Sequence, residues 1–123
     1  DLNLDHLQPV LTPDDVVALQ EATATVLVED RVLDYAVAIA RATRQAPGVV
    51  SGGSPRASIG LVRAARGMAV LDSRDFATPD DVKRCAPAVL RHRLTLSADA
   101  ELDGQDVDTV IAGVLTHVPA PRD

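Results

Sequence analysis

Apolar positions recur every three to four residues through most of this chain, the spacing of helices that bury one side. Two short sequences open such segments: Thr12-Pro13-Asp14-Asp15-Val16 and Thr78-Pro79-Asp80-Asp81-Val82. Each supplies an N-cap threonine, a proline at the first helical position and two acids in the first turn, so the repetition is capping chemistry and not a duplicated domain. The first opens a helix with Val16, Leu19, Gln20, Thr23 and Val26 on one face. A second helix is expected from about Glu29 to Arg44, with Val32, Leu33, Ala36, Ile39 and Ala40 inward, and Pro47-Gly48 marks its end. The glycine-rich stretch from Gln45 to Gly53 reads as a flexible loop.

A third helix, roughly Pro55 to Leu71, is apolar on most of its circumference, with Ala57, Leu61, Ala64, Ala65, Met68 and Leu71 on one side; it should be the central helix. The segment opened by Thr78 runs through Val82 and Cys85 to Pro87, where the pattern should kink or restart, leaving Ala88 to Arg93 as a short separate helix. Leu94-Thr95-Leu96 alternates as an extended piece, and a last helix is expected from about Asp106 to His117. The sum is an all-α bundle of about five or six helices with no strand pair, occupying residues 1–123 as one domain.

The start of the central helix carries the most chemistry. After Gly52 and Gly53, Ser54 reads as an N-cap whose hydroxyl accepts from a free amide, and Pro55 as the first helical residue. Arg56 then stands where unpaired amides already make the helix end positive and an acid is preferred. An anion such as a phosphate would resolve the conflict by taking both the amides and the guanidinium. Further along, Arg56, Gly60, Arg63 and Gly67 form a stripe at helical spacing. Each glycine inside a helix costs about 1 kcal/mol against alanine, so the stripe points at a close partner or ligand.

Composition narrows the field. With 123 residues, 46% of them hydrophobic, one Phe, one Tyr and no Trp, the core is made of Ala, Val and Leu, which suits closely packed helices. A net charge of −6 with Lys83 as the single lysine argues against nucleic acid, and the scarcity of aromatics removes a stacking surface for bases. No apolar run approaches the roughly 20 residues of a membrane span, and no leader is visible, so a soluble, unsecreted protein is expected. The lone Cys85, read as a buried small hydrophobe, fits a reducing, cytoplasmic compartment. The start at Asp1, without methionine, suggests a piece excised from a longer chain.

No catalytic or metal constellation is present in the pattern: His6, His92 and His117 are far apart, and Ser54 has no adjacent base. Arg63 and Arg66 by themselves read as solvated helix residues, and the Arg91-His92-Arg93 cluster as a solvated helix end.

Taken in order, Gly53-Ser54-Pro55-Arg56-Ala57-Ser58, then Leu61, Ala64, Ala65 and Ala69, then Asp75-Phe76-Ala77-Thr78-Pro79-Asp80-Asp81-Val82, then Val89-Leu90-Arg91-His92-Arg93-Leu94 resemble the C-terminal lid of MoxR-type AAA+ ATPases. Val10-Leu11-Thr12-Pro13 and Val32-Leu33-Asp34-Tyr35 extend the likeness over nearly the whole chain, and the lid of magnesium chelatase ATPase subunits shares parts of it. The resemblance implies that Arg56 is the sensor 2 arginine, reaching the γ-phosphate of ATP bound on a separate, N-terminal core domain, with Gly53, Ser54 and Pro55 beside it. The phosphate loop and the carboxylates that hold Mg²⁺ belong to that core, so the isolated chain is expected to be inactive. It also implies a chaperone-like remodeling ring, commonly a hexamer, often acting beside proteins with von Willebrand factor A domains. In such a ring Gly60, Arg63 and Gly67, or Arg91 and Arg93, could face a neighbouring domain. The alternative is an independent helical interaction module that docks on a partner through the glycine and arginine stripe.

Overall fold

The computed structural model describes residues 3–122. Its elements in chain order are α1 (Pro13–Thr25), α2 (Asp30–Thr43), β1 (Val49–Ser51), α3 (Pro55–Leu71), α4 (Pro79–Leu90), β2 (Thr95–Leu96), α5 (Ala98–Leu102) and α6 (Val107–His117). Six helices with one small strand pair make a helical bundle, as the hydrophobic pattern required.

Local chemistry fixes most helix starts. Both threonine motifs form complete capping boxes: Thr12 accepts from the Asp15 amide and Thr78 from the Asp81 amide, while each aspartate accepts its threonine's amide at 2.8 Å. Ser97 caps α5 and Asp106 caps α6 in the same way, through the Ala100 and Thr109 amides. The end of α3 is closed by Ser73 in the left-handed region, with the Ser73 amide on the Val70 carbonyl and the Arg74 amide on Ala69. That turn sends the chain back so that α4 lies along α3.

Packing centres on α3, which touches α1, α2 and α4. Its Ala57, Leu61, Ala65 and Ala69 meet Val32, Ala36, Ile39 and Ala40 of α2 and Val82, Ala86 and Leu90 of α4 in one core, to which α6 adds Val110, Ile111 and Val114. Small residues on α3 let the neighbouring backbones come close. The buried line is narrower than the expected one: Leu71 is 75% exposed, and Ala69 is buried in its place.

Several expectations change in three dimensions. Pro87 does not break its helix; α4 runs through it to Leu90. The missing amide costs one hydrogen bond, but Ala86 and Leu90 on either side are fully buried, and burying a leucine contributes about 2–3 kcal/mol. In α2, Tyr35 takes the inward place given to Leu33, which is exposed. The first helix buries none of its residues, so its apolar face looks outward instead of into the core. A strand pair does exist: β1 runs antiparallel to β2, with Val49 opposite Leu96 and Ser51 opposite Thr95 across an irregularity. The stretch expected to be a flexible loop is thereby tied down, aided by the Ser97 amide on the Gly48 carbonyl at 2.8 Å.

Candidate functional site

The candidate site is the N-terminal end of α3, and its position is set by the C-terminal end of α2. Thr43, fully buried, stands at the centre: its hydroxyl donates to the Ala40 carbonyl at 2.6 Å and accepts from the Gly53 amide at 2.8 Å. The Arg44 Nε donates to the Gly53 carbonyl at 2.6 Å, so both backbone groups of Gly53 are held by neighbouring residues of one helix end. Glycine is required here by space. A Cβ on Gly52 would lie 2.6 Å from the Arg44 backbone, and one on Gly53 would lie 3.0 Å from the Ala57 Cβ. The two glycines let the chain lie flat against α2 and then turn into Ser54.

Ser54 occupies the N-cap position with extended backbone, but its hydroxyl makes no capping hydrogen bond, contrary to the sequence expectation. Instead its carbonyl accepts from the Ala57 amide at 2.8 Å, a tight first turn that draws the chain in without the side chain. Pro55 follows at the first position, as expected. Arg56 is exposed, and among the described residues its guanidinium makes no hydrogen bond or ion pair. Four other helices of the bundle have a side-chain cap, so α3 begins with an uncapped, positive end and a free cation upon it.

The other candidates separate. Gly60 is approached from within the chain: a Cβ there would lie 3.1 Å from Val89 Cγ1 of α4, whereas Gly67 meets nothing within 4 Å. The stripe is thus not one surface. Arg63 lines a groove between α1 and α3 together with Arg66. The Arg91 Nε donates to Asp108 Oδ1 of α6 at 2.7 Å, and that contact raises its pKa; Arg93 is half-buried, its Nε enclosed without a partner. Among the described residues no group of His, Cys, Asp or Glu could hold a metal ion, and Cys85 is buried, its thiol pushed up in pKa by burial and by Asp81.

One buried ionic contact escaped the sequence. Asp81, 1% exposed, accepts from Arg74 Nη1 at 2.9 Å and Nη2 at 2.7 Å in a two-pronged pair. Burial works to raise this carboxyl, but Arg74 together with the Thr78 amide and hydroxyl outweighs it and holds the pKa below the ordinary value. The capping role of Asp81 was legible; its partner was not, because Arg74 lies in a turn and shows no periodicity.

The fold, a helical bundle around one central helix, is that of an AAA-type lid. The family model of the AAA lid domain matches residues 41–114. The chain is 36% identical over 118 residues to the uncharacterized protein YeaC of Bacillus subtilis, covering 96% of this chain and 37% of that protein. It is 38% identical over 122 residues to the chaperone MoxR1 of Mycobacterium tuberculosis, covering 92% of this chain and 32% of that one. The crystal structure of a presumed ATPase from Cytophaga hutchinsonii superposes with a TM-score of 0.86 at 27% identity, over 94% of this chain and 38% of the other. The chain therefore belongs to the AAA lid domain family, as the lid of a MoxR-like ATPase. It spans about a third of the length of these curated relatives.

Proposed function

We propose that this lid closes over ATP held on a separate core domain and that Arg56 senses the γ-phosphate. The observation that carries this is the unpaired, exposed Arg56 guanidinium on the uncapped end of α3, in a chain of the AAA lid family. The residues present fit a phosphate: a guanidinium fork and an uncapped helix end, both positive, sit together and draw no carboxylate from their own chain. Mg²⁺ and the carboxylates that hold it belong, in this reading, to the core domain.

Bound ATP would supply the negative charge that joins lid to core. Arg56 acts as a donor and a fixed charge, not as a proton-transfer group, and the Thr43–Arg44–Gly53 contacts hold the turn that leads into it. When the terminal phosphate is gone, Arg56 loses its anion and the lid is free to rotate. Gly53, Ser54 and Pro55 shape the backbone beside it. The assembled ATPase is taken to be a chaperone-like ring, commonly hexameric, that works in the cytoplasm beside proteins with von Willebrand factor A domains.

The test is Arg56→Ala in the ATPase that carries this lid. Turnover should fall at least tenfold, as loss of one transition-state charge contact commonly does. Because Arg56 is exposed and makes no hydrogen bond or ion pair among the described residues, the melting temperature of the lid should stay within about 2 °C. Unchanged turnover would remove Arg56 from the mechanism.

A further inference from the structure

Between α1 and α3 runs an open groove of about 610 Å³. Val16, Leu19 and Ala24 form its apolar wall on α1, and Arg63 and Arg66 form the opposite rim on α3. Val16 and Leu19 are each 43% exposed, and α1 buries none of its residues. A 13-residue helix with no buried side chain gains little from packing, and isolated helices of about this length are marginal in water. The edge of α1 formed by Val16, Leu19 and Ala24, with Gln20 and Thr23 among them, is thus left uncovered.

Charge says what covers it. Across its 17 residues α3 has three arginines and no acid. Arg74, Arg84 and Arg91 elsewhere in the chain all pair with aspartates. Arg63 and Arg66 pair with none among the described residues, and the Arg66 Nε is enclosed without a hydrogen-bond partner. In a molecule of net charge −6, a groove rimmed by two idle guanidiniums and walled by no carboxylate is a local positive site.

We infer that this groove seats an acidic amphipathic helix of a partner protein. Its apolar side chains, spaced three and four apart, lie on Val16, Leu19 and Ala24, and its flanking carboxylates reach Arg63 and Arg66. A helix fits better than a strand because both walls are helices and offer no open backbone edge. A phosphate backbone is a poor occupant, since it would lie over Val16 and Leu19. Arg56 is not in the walls, so this surface is independent of the nucleotide role.

The test uses a fluorescently labelled model helix with leucine on one side and glutamate on both flanks, and a twin with lysine in place of glutamate. Anisotropy should show the acidic helix binding and the basic one not, with affinity falling as salt is added. Arg63→Glu/Arg66→Glu should weaken binding at least tenfold, with the helical circular dichroism spectrum kept. Equal binding of both probes, or no change in the double variant, overturns the inference. Self-association in sedimentation that the same double variant abolishes gives the groove to a second copy. Binding that vanishes when the chain is joined to an ATPase core gives it to that core. Either result overturns an outside partner.

Discussion

Thr43→Val isolates the contact that places the start of α3. The side chains have nearly the same shape, and Thr43 is fully buried, so the change opens no cavity and puts a methyl where the hydroxyl stood. That hydroxyl makes two hydrogen bonds, to the Ala40 carbonyl at 2.6 Å and from the Gly53 amide at 2.8 Å. Each contributes about 1 kcal/mol net, and the Gly53 amide, left enclosed and unpaired, adds a desolvation penalty of similar size, for a total of about 3 kcal/mol. With an unfolding entropy of about 2 cal/mol/K per residue, the melting temperature should drop by roughly 12 °C. Thr43→Ser keeps the hydroxyl and deletes one methyl, a loss of about 1 kcal/mol. Thermal and denaturant unfolding, followed by circular dichroism, measure both variants, and hydrogen exchange at Gly53 should accelerate only in the valine variant. If the valine variant were within about 0.5 kcal/mol of the parent, or more stable than the serine variant, Thr43 would not hold the turn.

Asp81 makes stability depend on acid. Its carboxyl titrates below the usual value when folded, so its contribution is complete above the unfolded value, about pH 4, and fades as pH falls through the lower folded one. Asp81→Asn should therefore unfold more easily at pH 7 and show a shallower loss below pH 4 in acid titrations; an unchanged slope would exclude Asp81 as the source. Arg74→Ala leaves that carboxylate enclosed without its cation and should lower the denaturant midpoint, whereas an unchanged midpoint would mean that the Thr78 contacts suffice. Gly67→Ala, with open space at the new methyl, should stabilise the bundle by about 0.5–1 kcal/mol, while Gly60→Ala should gain nothing because Val89 stands 3.1 Å away. Equal melting-point gains at the two glycines would refute the packing of α4 on Gly60.

Much of the architecture was legible because it is written in near neighbours. The bounds of α3, Pro55–Leu71, follow from Pro55 at one end and the end of the apolar period at the other; the capping boxes at Thr12 and Thr78 need only residues three apart. The arginine at the helix start was visible for the same reason, since the conflict between a cation and a helix end is a matter of one turn. The serine cap failed at that very point. Gly53 is pulled toward Thr43 and Arg44, which sets the approach of the chain, and Ser54 meets the first turn through its carbonyl instead of its hydroxyl.

By itself the sequence determined α1, α2, α3, α6 and the start of α4, the Thr12 and Thr78 caps and the cation at the head of α3, because these arise from hydrogen bonds and periodicities within a few residues; α5 it did not show. How those pieces are used depends on long-range packing. Pro87 stays inside α4 because burial of Ala86 and Leu90 outweighs a lost hydrogen bond. The apolar face of α1 stays outside because the core around α3 is already filled by α2, α4 and α6. Val49 finds Leu96, Thr43 finds Gly53 and Arg74 finds Asp81 through the fold of the chain. Such pairings depend on which surfaces the whole molecule brings together, and no local pattern carries that information.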